Sequence, residues 1–263
     1  MKMVKLIGNG IAIYKEPDYD YDLGPYSEKL WSILGKLMLP NAKVPDIEII
    51  RDKRIDSTIP GTMSYSIVDR ENEDMTDFRT ILRYNGLSEE EMKKQDDSLY
   101  VEELLGYIKN FVQDEENYKE LEEDIIRTIL LDCITNSFDR HPDNWALVRD
   151  NQTGKYKLGL FDNTVSFVNI IFPRPGVISK GNWGRVFIRA KSETGKISRS
   201  ADEVIRDIYK KYPKHLEKFS KDLDDNLQIF NTQIENYQNG SVTKELMRKN
   251  SFLKSLYREE RDF

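Results

Sequence analysis

Asp139-Arg140-His141-Pro142-Asp143-Asn144 is the densest polar cluster in the chain, and it stands directly before a β-rich run, Trp145–Val148. A second such run, Tyr156–Phe161, follows across the turn-rich Asp150-Asn151-Gln152-Thr153-Gly154 and leads into Asp162-Asn163. This pattern predicts a β-hairpin. A hairpin brings the residues flanking its strands together. Asn144 and Asp162 are therefore expected side by side near its open end, with Asp139 five residues earlier in the same loop. An amide oxygen and a carboxylate aimed at one point suit Mg2+, a hard cation that takes one or two carboxylates plus phosphate and water. A further carboxylate nearby suits a base that receives or orients a hydroxyl proton. Against this, Asp, Asn and Pro are ordinary turn residues, and the same letters alone equally describe a solvated loop. The flanking elements favour the first reading, because a charged loop between a buried helix and a buried strand is held in place.

That helix is predicted over residues 117–138, where Leu121, Ile125, Ile129, Leu130, Cys133 and Ile134 build an apolar face wide enough for a central position. Further helices are predicted over 77–85, 89–95 and 98–112. From Ala201 onward the pattern is helical again, with Leu216, Phe219, Leu223, Leu227 and Phe230 at core spacing. Residues 164–200 read as irregular. They carry Arg174, Lys180, Arg185, Arg189, Lys191, Lys196 and Arg199 against Glu193 alone, which fits a solvated loop or a docking surface. Toward the N-terminus, Val4–Ile7 and Ile11–Tyr14 flank Asn9-Gly10, a strong two-residue turn signal. Glu16–Pro25 reads as a loop, residues 27–39 as an amphipathic helix stopped by Pro40, and Ile47–Arg51 and Thr62–Val68 as strands. The expected architecture is α+β: a small β-rich part over residues 1–70 and a larger, mostly helical part over 71–263.

Composition narrows the function classes. The chain has 263 residues, 38% hydrophobic and 33% charged, with 11% aromatic residues that argue against general disorder. Forty Lys and Arg against 46 Asp and Glu give a net charge of −6, so direct nucleic-acid binding is not expected. A single cysteine, Cys133, excludes an internal disulfide and a Cys-rich zinc module, and two histidines, His141 and His215, disfavour a multi-His metal site. No segment approaches the ~18 apolar residues that span a bilayer. No N-terminal apolar run has signal-peptide length, so a cytoplasmic location and no membrane span are expected.

Asp139, Asn144 and Asp162 have the order of a protein-kinase-like catalytic loop and metal-binding segment. The wording DRHPDN resembles the DRHxxN loop of phosphoinositide lipid kinases and of HipA-like bacterial kinases, and differs from the HRDxxxxN of eukaryotic protein kinases. Two further stretches favour the HipA-like group. Lys43-Val44-Pro45-Asp46-Ile47-Glu48-Ile49-Ile50 resembles its VPDAEII-type stretch, and Leu158-Gly159-Leu160-Phe161-Asp162-Asn163 resembles its L-x-P-x-Y-D strand. Lys15, ending an apolar strand, and Glu28, in the first turn of the following predicted helix, have the order of the strand lysine and helix glutamate that kinases use. Each alone also reads as a surface lysine and a first-turn acid. The resemblance covers about residues 10–170.

The resemblance implies a two-lobed protein-kinase-like fold and an ATP-dependent serine/threonine protein kinase working with Mg2+. By it, Lys15 contacts the nucleotide phosphates and Glu28 orients it. Asp139 is the catalytic base and His141 supports the loop or the phosphoryl group. Asn144 and Asp162 bind Mg2+, and Ser66, Ile67, Val68 and Asp69 form a hinge that holds adenine. Partners implied are a protein with a Ser or Thr acceptor and an antitoxin or completing small subunit. Only 14 residues precede Lys15, and none forms a G-x-G-x-x-G loop. A compact variant, a truncated product and a subunit completed by another chain all stay open on that ground. Rival functions are a nucleotide-binding pseudokinase, a metal-dependent phosphohydrolase using Asp139, His141, Asp143 and Asp162, and a lipid kinase.

Overall fold

The structure is a computed structural model, and it describes residues 2–7, 10–15, 24–51, 60–88, 90–92, 99–137, 140–163, 166–167, 185–191, 197–235 and 241–258. The expected Gly8-Asn9 part of the first turn, the loop over 16–23, most of the helix expected over 89–95, Asp139 and the basic segment over 168–184 lie outside these residues.

The chain opens with the antiparallel strands β1 (Lys2–Ile7) and β2 (Gly10–Lys15). Helix α1 (Gly24–Met38) follows, then β3 (Ile47–Ile50) and β4 (Gly61–Tyr65). These strands make one antiparallel sheet in the order β1-β2-β4-β3. Ala12 and Tyr14 of β2 and Met63 of β4 are buried in a small apolar cluster of their own, with Ile50 and Tyr65 against it. Ile13 points the other way and is 40% exposed. That alternation is what a half-buried strand requires, and it places Lys15 on the face of Ile13.

Helix α1 begins three residues earlier than its apolar spacing predicts, and Pro25 falls within its first turn, where the missing N–H costs nothing. Its buried face, Leu30, Trp31, Leu34 and Met38, joins the main core. Ser32 Oγ donates to Pro45 O at 2.6 Å and Lys29 Nζ to Ile47 O at 2.7 Å, fixing β3 beside the helix.

β4 is shorter than the run Thr62–Val68 suggests. The ladder stops at Tyr65, and Ser66 turns the chain, its Oγ accepting the Val68 N–H at 3.1 Å. Within the ladder Gly61 passes so close to β2 that a Cβ there would lie 2.5 Å from Lys15 O and 2.7 Å from Tyr14 Oη. Overpacking of this kind costs about 1–3 kcal/mol. Gly61→Ala is therefore expected to lower the melting temperature and to displace the end of β2. An unchanged unfolding curve would show that the two strands can part without loss.

The remaining elements are β5 (Glu73–Asp77), α2 (Phe78–Tyr84), α3 (Val101–Val112), α4 (Glu115–Thr135), β6 (Trp145–Asp150), β7 (Tyr156–Leu160), β8 (Arg185–Lys191), β9 (Ile197–Ser200), α5 (Ala201–Lys211), α6 (Pro213–Ile234) and α7 (Ser241–Arg258). Helix α4 is the axis of the core. From Asp124 to Thr135 every residue is buried, and α1, α3, α5, α6, α7, β7 and β8 all pack on it. Its Arg127 donates to Met38 O at 2.8 Å and pairs with Asp222 of α6 at 2.7 Å, tying the end of α1 to the C-terminal helices.

Strands β5, β6 and β7 form a three-stranded antiparallel sheet, and β8 and β9 a separate pair. The predicted hairpin is thus β6–β7, with β5 added to it. β8 and β9 correct the expectation of irregular structure throughout 164–200. Val186, Ile188 and Ala190 alternate into the core, which is the signature of a half-buried strand. Among the described residues no helix is long and apolar enough to cross a membrane.

Candidate active site

Lys15 ends β2 facing a cleft between the first sheet and the β6–β7 hairpin. Its Nζ lies 2.7 Å from Glu28 Oε1 and 2.8 Å from Asp162 Oδ1. Glu28 is only 2% exposed, and its second oxygen accepts from Thr62 Oγ1 at 3.0 Å. Burial works against the charge of Lys15, but the carboxylates of Glu28 and Asp162 outweigh it and hold the ammonium's pKa above its usual value. Because α1 starts at Gly24, Glu28 sits in its second turn, and no acid stands in the first. The expected first-turn placement is therefore corrected, and the helix dipole does not account for this carboxylate. Its ion pair with Lys15 does.

The loop after α4 begins with Asn136 in the left-handed conformation, φ 56°, closing the helix. Arg140 then turns inward and is 2% exposed. His141 caps a short 3-10 turn, Pro142–Asn144, its Nδ1 accepting the Asp143 N–H at 3.3 Å. The Asp143 carboxylate is held in a fork by Arg79, with one contact at 2.9 Å, and that hydrogen bonding keeps its pKa below the usual range.

Trp145 pairs with Leu160, and the Phe161 N–H donates to Asn144 O at 3.3 Å, which extends the ladder one step beyond the strands. Asn144 thus stands opposite Phe161, immediately beside Asp162, and is 4% exposed. Asp162 has φ 57°. A non-glycine residue there carries a cost of about 1–2 kcal/mol, retained only where surrounding contacts impose it.

The cleft encloses about 320 Å³. Lys15 and Asp162 stand at one end, and Ile13, Val68, Met75 and Phe161 supply apolar walls. Of the expected hinge, Ser66, Ile67 and Val68 line it. Asp69, the last of them, is not among its lining residues. Its carboxylate closes a turn instead, accepting from Asn72 at 2.8 Å and from the Glu71 N–H at 3.1 Å.

Two groups of residues with no evident signal in the sequence support this arrangement. Lys43 Nζ pairs with Glu73, whose carboxylate also accepts the Asp69 N–H at 2.9 Å. The Lys43 backbone bridges to β7 in parallel, donating to Leu158 O at 2.7 Å and accepting from Leu160 N at 3.0 Å. Ser27 Oγ donates to Ser166 O, tying the start of α1 to the segment after Asp162.

Among the described residues no three His, Cys, Asp or Glu side chains cluster closely enough to hold a metal by themselves. Of the expected metal pair, Asp162 lines the cleft beside Lys15, while Asn144 is buried at the adjacent ladder position.

No family model matches the chain, and none of the curated proteins matches it. Solved structures do. The proinflammatory kinase CtkA of Helicobacter pylori aligns with a TM-score of 0.57 at 15% identity, over 97% of this chain and 90% of that one. HipA, from a Shewanella oneidensis MR-1 toxin–antitoxin complex with HipB and operator DNA, aligns with a TM-score of 0.60 at 10% identity. That alignment takes in 98% of this chain, which spans 61% of the HipA chain. At these identities the likeness is one of fold: the chain has the mixed α/β fold of HipA-like kinases.

Proposed function

We propose that this chain is a HipA-type kinase that transfers the γ-phosphoryl group of ATP to a Ser or Thr hydroxyl of a protein. The observation that carries the reading is the bridge by Lys15 Nζ between buried Glu28 and Asp162 across the cleft. A strand lysine, a helix glutamate and the acid after the hairpin have no common reason to converge in a plain surface loop. In a phosphoryl-transfer site they do. In this reading the chain is two-lobed, with residues 1–70 covering the nucleotide.

Mg2+ and ATP would supply the transferable group and neutralise its oxygens. The chain's own residues would do the rest. Lys15, released from Asp162, would hold phosphate oxygens while Glu28 keeps its ammonium in line. Asn144 and Asp162 would hold the metal, and Asp139 would take the acceptor's proton. Ser66–Val68 would offer backbone groups to the adenine, with Ile13, Met75 and Phe161 excluding water around it. His141, capping the turn that carries Asn144, would keep that amide in place.

The metal-dependent phosphohydrolase needs Asp143 as a ligand. The Arg79 fork already engages that carboxylate, which favours the kinase. The HipA neighbour is complexed with HipB and operator DNA. A protein partner of antitoxin type therefore belongs to the proposal here.

The test is incubation with labelled ATP and Mg2+, with and without a co-encoded neighbour, and mass spectrometry of the labelled residues. Wild type is expected to transfer label to Ser or Thr, and Asp139→Ala to lose at least 100-fold of the rate, the usual scale for a positioned base. Nucleotide binding with no transfer under any pairing would make the chain a pseudokinase. Release of phosphate that needs Mn2+ or Zn2+ but not Lys15 would make it a phosphohydrolase.

A further inference from the structure

Arg140 belongs to the polar loop, yet its guanidinium is committed inward. Nε and Nη2 donate to the two oxygens of Asp132 at 3.0 and 3.1 Å, a bidentate pair. Nη1 donates to Phe161 O at 3.2 Å, and Nη2 donates to Asn163 Oδ1. The guanidinium also lies 4.7 Å from the centre of the Trp31 ring on α1, and the Arg140 carbonyl accepts Trp145 Nε1–H at 3.1 Å.

Two of these contacts flank one residue. Phe161 and Asn163 stand on either side of Asp162, and Arg140 holds the first by its carbonyl and the second by its side chain. Between them Asp162 has φ 57°, a conformation that persists only where its surroundings over-determine it. We infer that Arg140 is a positioning residue that clamps both neighbours of Asp162, fixes its left-handed backbone and so aims its carboxylate into the cleft beside Lys15.

Asp132 anchors the clamp to α4, the most deeply packed element of the fold, so the aim of Asp162 is set by the core. The fork geometry matters. One planar guanidinium serves Asp132, Phe161 and Asn163 at once, whereas a lysine ammonium is a point donor that cannot span them. Nothing in the motif's letters announces this role, because Arg140 reaches forward 21 residues to Phe161.

The inference rests on the reading of Asp162 as a metal ligand, and the experiment separates the two. Dissociation constants for ATP are measured with Mg2+ and with EDTA, for wild type, Arg140→Lys, Asn163→Ala and Asp162→Asn. Each is measured well below its melting temperature, with circular dichroism confirming the fold. Asp162→Asn is expected to abolish the tightening by Mg2+. Failure there overturns the metal reading and the inference with it. Given that loss, Arg140→Lys and Asn163→Ala are each expected to shrink the Mg2+ effect by about 10-fold while leaving metal-free binding within a factor of two to three, the range of outer-shell partners of metal ligands. A general loosening of the fold would weaken both constants together, and that result overturns the inference. Asn163→Ala leaves the Asp132–Arg140 pair intact, so it decides the matter should Arg140→Lys fail to fold. A wild-type ratio of the two constants in Asn163→Ala sinks the clamp even where Asp162 is confirmed.

Discussion

Lys15→Met is expected to cost about 3 kcal/mol of folding stability, and most of that loss should return when Glu28→Gln is added. Glu28 is 2% exposed, and its charge is balanced by Lys15. Removing one partner of a buried pair leaves an uncompensated carboxylate, worth about 3–5 kcal/mol, whereas replacing both is far milder. Thr62 still serves one oxygen of Glu28, which puts the expectation at the lower end. Urea unfolding of wild type, the two single variants and the double variant completes the cycle. Additive losses, or a Lys15→Met chain as stable as wild type, would show that the pair is not coupled. The result bears directly on enzymology, since an inactive Lys15→Met chain speaks of chemistry only once its fold has been verified.

Lys249 gives the second large effect, in the dependence of stability on pH. It is fully buried on α7, where its Nζ donates to Ile134 O at 2.9 Å and Asn136 Oδ1 at 2.6 Å, closing the end of α4. Burial pushes its pKa down to about 7, with Arg248 adding to the drop and Glu245 and Cys133 opposing it. Above that pH the folded chain has released a proton that the unfolded chain keeps until about 10.4. The unfolded state then binds more protons, so stability rises with pH across that interval. Below about pH 7 the full penalty of burying an ammonium is present. From pH 7 to 9 wild type should therefore gain a few kcal/mol relative to Lys249→Met. Cys133, whose buried thiol is held well above its usual pKa, works the other way only above about pH 9. Parallel stability curves for the two chains between pH 6 and 9 would refute the assignment.

Periodicity made much of the fold legible. The first hairpin, α1, the buried α4, the β6–β7 hairpin and the C-terminal helices all carry an apolar pattern of the right period, and each is where that pattern puts it to within a few residues. β5 was hidden because Glu-Asp-Met-Thr-Asp has no such pattern. It is a strand only because β6 offers it a ladder, which is tertiary context overriding local preference. β8 and β9 were hidden inside a stretch whose glycines, prolines and charges mask a short alternation. In the site, hairpin logic placed Asn144 beside Asp162, and strand and helix logic set Lys15 and Glu28 on neighbouring elements. It could not reveal that Lys15 also reaches Asp162, 147 residues away. Arg140 was visible as a letter in a motif, but its work lies in contacts to Trp31, Asp132 and Asn163 that no spacing rule connects. Asp139 stands in the motif and outside the described residues.

The parallel bridge made by Lys43 has a consequence for how this molecule meets its own copies. A sheet of three strands has two open margins, each a row of unpaired N–H and C=O groups that can template pairing with another chain. At the β7 margin, Lys43 occupies Leu158 O and Leu160 N–H with its own backbone. At the β5 margin, Asp74 and Asp77 add carboxylates beside Glu73, whose own charge Lys43 already balances, so a second copy approaching there meets like charge. The sheet that carries Asn144 and Asp162 is thus guarded against edge-to-edge association by a single residue on one side and by electrostatic repulsion on the other.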